Sequence, residues 1–143
     1  MSMRVIKFRA WFKPTGKMFY DVQADSQGLS FDHFLYDGHP DRPQDSRFVV
    51  MQYTGLVDKE GREVYEGDIV VRRDYEYPEG PREKLINTVR GVVVWSNYYS
   101  KFAIDADYGN EYGDQADLEY LRSGNTKLEV IGNIYATPEL VPK

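Results

Sequence analysis

Near the start of the chain the apolar residues fall on alternate positions: Ile6, Phe8, Ala10 and Phe12 share one side of an extended segment, with Lys7 and Arg9 on the other. Successive side chains of a strand point to opposite faces, so this period of two predicts a half-buried strand. Lys13-Pro14-Thr15-Gly16 supplies turn residues, and Lys17 to Val22 returns as the second arm of a hairpin over residues 4–22. The pattern then decays. Residues 23–46 are rich in Asp, Ser, Gly, His and Pro around Leu29, Phe31, Phe34, Leu35 and Tyr36, which predicts a long loop with one helical turn or short strand.

Strand signals resume at Arg47. Met51 to Val71 reads as two strands joined at the Asp58-Lys59-Glu60-Gly61 turn, followed by a third that opens at Asp68 after Gly67. Asp74 to Lys84, with two prolines and a glycine, suits a projecting hairpin tip. Leu85 to Trp95 is a long strand with Gly91 inside it, where a glycine marks a bulge or a sharp bend. Ser96 to Ser100 is a turn, and Lys101 to Asp105 pairs back. Gly113 to Arg122 predicts a short helix capped by Asp114, with Leu118 and Leu121 inward. Leu128, Val130, Gly132 and Ile134 alternate as a last strand. About eight short strands predict a mainly β, antiparallel fold: a partly open SH3-like barrel core over 47–135, an added N-terminal hairpin and at most one or two short helices. A length of 143 residues fits a single domain.

Composition removes chemistry more than it adds any. The absence of cysteine excludes disulfides, zinc–thiolate sites, iron–sulfur clusters and thiol catalysis. The first residues alternate charged and apolar groups, so neither a signal peptide nor a membrane span is expected, and a cytoplasmic location is. The net charge of −5 argues against broad nucleic-acid affinity. The charge is uneven, however. Arg4, Lys7, Arg9, Lys13 and Lys17 make the beginning basic, whereas Asp105, Asp107, Glu111, Asp114, Asp117 and Glu119 make a later segment acidic. Solvated faces are the simplest account; head-to-tail association through these regions, together with strand edges that need covering, predicts a homo-oligomer.

His33 and His39, with Asp32, Asp37 and Asp41 nearby, have metal-ligand types but no zinc spacing, so a polar loop is the expectation. Asp105-Ala106-Asp107 begins like a calcium loop, but Gly109 falls where a ligand is required. Thr54-Gly55-Leu56 and Glu66-Gly67-Asp68 hold hydrolase parts without an arrangement; Asp68 is expected to bond the turn that starts its strand. No catalytic residue, cofactor or metal follows. Aromatic residues make up 15% of the chain, with 12 Tyr. Trp11, Trp95, Tyr98 and Tyr99 are the candidate interaction surface, for a protein or, with Lys101, for stacked nucleotide bases.

FRAWF at 8–12, KMFYD at 17–21, MQYTGLVDKEGREVYEGDIV at 51–70, GVVVW at 91–95 and LEVIGNIYATPEL at 128–140 together resemble the YopX family of bacteriophage and prophage proteins. The resemblance implies a phage-encoded or prophage-encoded intracellular protein with a mainly β fold. It implies no established reaction, cofactor or catalytic residue. The expected function is therefore that of a non-enzymatic accessory protein, binding a protein of host or phage origin or assembling with itself, with a nucleic-acid-associated barrel as the alternative.

Overall fold

A computed structural model describes residues 5–24, 28–76, 84–110, 114–118 and 125–142. The chain forms two compact units, one up to Gly55 and one from Leu56 onward.

In the first unit, β1 (Phe8–Phe12) lies between β2 (Lys17–Tyr20) and β3 (Phe48–Val57), antiparallel to both. The turn closing the β1–β2 hairpin ends at Gly16, whose φ of 68° suits glycine and whose N–H donates to the Phe12 carbonyl. The segment 23–46, read as a loop with one helical turn or short strand, contributes Phe31 and Phe34 to this unit's core. Its helix α1 (Phe31–Tyr36) drives Phe34 to full burial beside Ala10 and Val22, with Phe8, Phe19, Phe31, Phe48 and Val50 around them. The rings of Phe34 and Phe48 meet edge-on at 5.1 Å, a geometry aromatic quadrupoles favour. α1 stops at Asp37, which takes a left-handed conformation and turns its carboxylate onto Arg47. Arg9, read as solvent-facing from its alternation, is instead 3% exposed, with a guanidinium nitrogen 3.7 Å from Met51 Sδ.

In the second unit, β4 (Glu63–Tyr65) precedes a five-stranded antiparallel sheet ordered β8-β7-β6-β5-β9, formed by β5 (Asp68–Glu76), β6 (Lys84–Ser96), β7 (Lys101–Asp105), β8 (Gln115–Asp117) and β9 (Asn125–Asn133). Its core is Val64, Val70, Val93, Phe102, Ile104, Leu118 and Leu128. The sheet curls in the manner of a half barrel. Pairing slips at Asp74/Tyr75 against β6 and at Ile69/Val70 against β9, and such irregularities bend strands. The Asp58 turn then reaches the outer side of β9: Lys59 N–H donates to the Leu128 carbonyl at 2.8 Å, and Val130 N–H to Asp58 Oδ2 at 3.0 Å. The fold is mainly β and antiparallel, with a partly open barrel-like sheet, as the strand pattern predicts.

Two local expectations need correction. Gln115–Asp117 is strand β8, not helix: pairing with Ala103–Asp105 satisfies its backbone, and that tertiary contact overrides the local helix signal. Leu118 is nonetheless buried, at 5% exposure, while Gly113 and residues 119–122 lie outside the described residues. Of the bulge or sharp bend expected at Gly91, the bulge is not found, since Gly91 sits in register opposite Val70. It is required by close approach, since a Cβ there would lie 2.3 Å from the Asp105 carbonyl oxygen. The tip of the hairpin expected over 74–84 lies outside the described residues at 77–83, although β5 and β6 run up to it.

Candidate interaction surface

The β6–β7 connection is tight, and its geometry is set by Ser96 and Ser100. Ser96 is 1% exposed and its hydroxyl accepts the Tyr99 N–H at 3.1 Å, a local bond that substitutes for the interrupted ladder. Ser100 adopts φ 53°, which lets Lys101 re-enter the sheet. The side chains between them are thereby directed outward. Tyr98 is 88% exposed and Tyr99 55%, their rings edge-on at 4.8 Å.

Trp95, one residue before Ser96, is 45% exposed on one side while its other side stands edge-on to its cross-strand partner Phe102 at 5.1 Å. That contact fixes the indole without hiding it. The Lys101 ammonium lies 5.7 Å from the Tyr99 ring centre and forms an ion pair with Asp117. Beside Tyr99 is a depression of about 300 Å³ lined by Arg72, Tyr99, Lys101, Gln115 and Asp117 among others. Its floor is committed to structure. Arg72, 5% exposed, grips Asp74 through two bonds of 2.9 Å and donates to the Asp117 carbonyl, and Asp74 also accepts from Asn87 at 3.1 Å. A buried ion pair with its remaining acceptors engaged is a structural anchor, which leaves the aromatic rim as the adaptable part.

Tyr98 and Tyr99 thus share the β6–β7 turn of the second unit, whereas Trp95 belongs to β6 just before it, on the sheet face of Phe102. Trp11 belongs to β1 of the first unit, where its ring lies over Gly16. The histidine cluster is occupied by other contacts: the His33 ring stands against Phe48 at 5.7 Å, His39 Nδ1 is 3.4 Å from an Arg42 guanidinium nitrogen, and Asp37 holds Arg47. Side-chain bonds to Arg47 bring the Asp37 carboxyl down from 3.8 to about 2. Among the described residues no group of three or more metal-ligand side chains is suitably placed. Asp105 and Asp107 stabilise their own turn, with Asp105 Oδ1 accepting the Asp107 N–H at 3.0 Å. Asp68 accepts the Tyr65 N–H at 2.8 Å, the turn-closing role its position predicts.

Sequence reading missed two polar centres. Arg72 and Asp74 are opposite charges two apart in a strand, a spacing that puts both on one face and was the available signal. Asp58 was legible as a turn residue, but its bond to Val130, far along the chain, was not.

The sequence model of the YopX protein family matches residues 7–142. The chain belongs to the YopX family. Curated protein sequences contain no match to this YopX chain. Among solved structures it is similar to the crystal structure of protein EF1440 from Enterococcus faecalis, with 24% identity, a TM-score of 0.51, and coverage of 97% of this chain and 99% of that one. That likeness concerns the fold. No helix among the described residues of the YopX chain is long and apolar enough to cross a membrane.

Proposed function

We propose that this YopX-family chain is a phage or prophage accessory protein that works in the bacterial cytoplasm as a non-enzymatic interaction module, docking a protein of host or phage origin on the Trp95–Tyr98–Tyr99 turn. The observation that carries this reading is the exposure of Tyr98 and Tyr99 on one tightly fixed turn, with Trp95 exposed on the strand that enters it. Such residues bring large contact area with few torsions to freeze, the character of interface anchors. Self-assembly is the other form of the same reading, with the exposed turn or a sheet edge as its contact. The basic beginning of the chain argues for it less strongly, because Lys7 and Lys17 lie over Tyr53 and Phe19, and Lys13 donates to the Ser46 carbonyl.

Affinity capture of the tagged protein from host cells carrying the phage, with and without nuclease, tests it. A stoichiometric protein that survives nuclease and is lost from a Tyr98→Ser/Tyr99→Ser variant supports the module. Light scattering at micromolar concentration separates a homo-oligomer from a monomer. The Lys101 ammonium beside Tyr99 favours a second reading, in which bases stack on the turn and the cation meets phosphate. That reading requires partners lost on nuclease treatment and binding that falls steeply with salt.

A further inference from the structure

Asp37-Gly38 is the one Asp-Gly pair in the chain, and no Asn-Gly pair occurs. In such a pair the glycine nitrogen can close on the aspartate carboxyl carbon, because a residue without Cβ leaves the approach open. At Gly38 nothing lies within 4 Å of the place a Cβ would take, and φ is 77°. The carboxylate before it is nevertheless withheld. The Asp37 side chain is 4% exposed; Arg47 Nε donates to Oδ2 at 2.7 Å, Arg47 Nη2 to Oδ1 at 3.1 Å and the Arg47 backbone N–H to Oδ2 at 3.2 Å. Asp37 also ends α1 in a left-handed conformation, φ 51° and ψ 40°, with its N–H donating to the His33 carbonyl at 2.8 Å. Closing a ring onto Gly38 has to break the bonds to Arg47 and turn ψ away from this value.

We propose that Asp37-Gly38 is a site of spontaneous backbone isomerisation, which the Arg47 clamp holds closed. The chemistry involves water alone. The Gly38 nitrogen bonds to Asp37 Cγ, its proton and the carboxyl OH leave as one water, and a cyclic imide forms. One water then opens the imide at either carbonyl, returning aspartate or giving isoaspartate, in which the main chain runs through the side-chain carbon. The carboxylic acid is the reactive form, because a carboxylate has no neutral leaving group to release. Bonds to Arg47 hold the Asp37 carboxyl at about 2 instead of 3.8, which lowers the acid form at neutral pH by more than tenfold. The clamp thus opposes the reaction through geometry and through protonation. The product does not fit back into this fold. Its extra main-chain carbon falls inside the loop closed by the His39 N–H bond to the Tyr36 carbonyl at 2.8 Å, and it moves the carboxylate off Arg47. α1, which brings Phe34 into the core, then loses its C-terminal stop. Opening of the clamp is reversible and isomerisation is not, so the covalent change fixes the open state. Clamp and tyrosine turn lie in different units, and the inference does not depend on the docking reading.

The test is incubation of the full chain at mildly acidic pH, with isoaspartate measured by methyl transfer from an isoaspartyl methyltransferase and located by peptide mapping. A peptide of residues 33–43 serves as the unfolded reference. The natural chain should form isoaspartate at position 37 at least tenfold more slowly than the peptide. Arg47→Met keeps an unbranched stem beside Phe12 but removes the guanidinium, and should raise the rate at least fivefold, with circular dichroism confirming that it is folded. Arg47→Lys keeps the charge without the fork; its rate should fall between the two, and it carries the test if the Met variant does not fold. Val50→Ala weakens the same core without touching the clamp and should stay within twofold of the natural chain. A natural chain as reactive as the peptide, or folded Arg47 variants no faster than the natural chain, overturns the inference. A Val50→Ala chain as fast as Arg47→Met also overturns it, by making loosening of the core, and not loss of the clamp, the cause.

Discussion

Replacing Asp58 by Asn gives the sharpest check on how the second unit is held together. The Asp58 side chain has no exposed surface, and its two oxygens divide the work. Oδ1 accepts the Glu60 and Arg62 N–H groups at 2.9 Å each; Oδ2 accepts the Val130 N–H and Arg62 Nε at 3.0 Å. An amide keeps one acceptor and presents donors where the other stood, so one pair of N–H groups faces an NH₂. Hydrogen bonds to a charged acceptor contribute roughly 1.5–3 kcal/mol each, and a buried donor left without an acceptor costs about 1–3 kcal/mol. Allowing for relaxation around the turn, Asp58→Asn should destabilise the unit by about 3 kcal/mol.

The two tryptophans make this measurable one unit at a time, since Trp11 lies in the first unit and Trp95 in the second. In a Trp11→Phe background, Trp95 fluorescence reports the second unit alone. With a urea slope of about 2 kcal/mol per molar, the midpoint should fall by roughly 1.5 M. A shift below about 0.5 M at unchanged slope would falsify the view that this carboxylate joins the turn to β9. The pH dependence supplies a second arm. Burial pushes the Asp58 carboxyl up, but the N–H groups of Val130, Arg62 and Glu60 and the charge of Arg62 outweigh it, and the folded value lies below the usual 3.8. A lowered folded value stabilises the native state above the usual carboxyl range, and this is lost as the pH falls through the folded value. Asp58→Asn should flatten that acid limb of the Trp95 midpoint.

Gly91→Ala should destabilise the second unit by about 2–3 kcal/mol, because the added methyl meets backbone that cannot rotate away; an unchanged Trp95 midpoint would contradict the close approach of Asp105. Phe34→Ala should cost the first unit roughly 3–5 kcal/mol, read by Trp11 fluorescence in a Trp95→Phe background, since Phe34 is fully buried at the centre of its core. Asp37→Asn should cost the same unit about 1–2 kcal/mol at neutral pH, the Arg47 partner being largely in water. The natural chain should lose this contribution as the pH falls from about 4 towards 2, and a Trp11 midpoint equally acid-sensitive in the variant would contradict it.

The strand pattern carried most of the second unit because its apolar residues alternate and its turns use glycine where φ is positive, as at Gly61 and Gly67. Sequence reading failed where local preference and tertiary pairing disagree. Gln115–Asp117 is acidic and short, and only β7 beside it makes it a strand. It failed again where polar residues are buried by partners far along the chain: nothing around Arg9 announces its burial near Met51, and nothing around Asp58 announces Val130. In residues 23–46, read as a long loop with one helical turn or short strand, the helical alternative is α1, whose six residues are too few to show a helical period beyond the Phe31, Phe34 and Leu35 spacing. Of the candidate site, Trp95, Tyr98 and Tyr99 were legible as aromatics flanking a turn, whereas their exposure depends on Ser96 and Ser100, whose roles appear only in three dimensions.

The residues that hold this chain together and those it offers to a partner are physically separable, and that decides how function can be sought. Asp58, Arg72, Asp74 and Gly91 are buried or pressed against backbone, so changing them perturbs the fold before it reports on anything else. Tyr98 and Tyr99 project into solvent, where substitutions usually alter stability by no more than about 0.5 kcal/mol. Trp95 stands between, because its exposed side serves recognition while its other side packs on Phe102. Binding lost in a Tyr98→Ser/Tyr99→Ser variant is therefore assignable to the missing contact, whereas the same loss in a Trp95 variant is not. The tyrosine pair, changed in an otherwise natural chain, is the substitution from which a function can be argued.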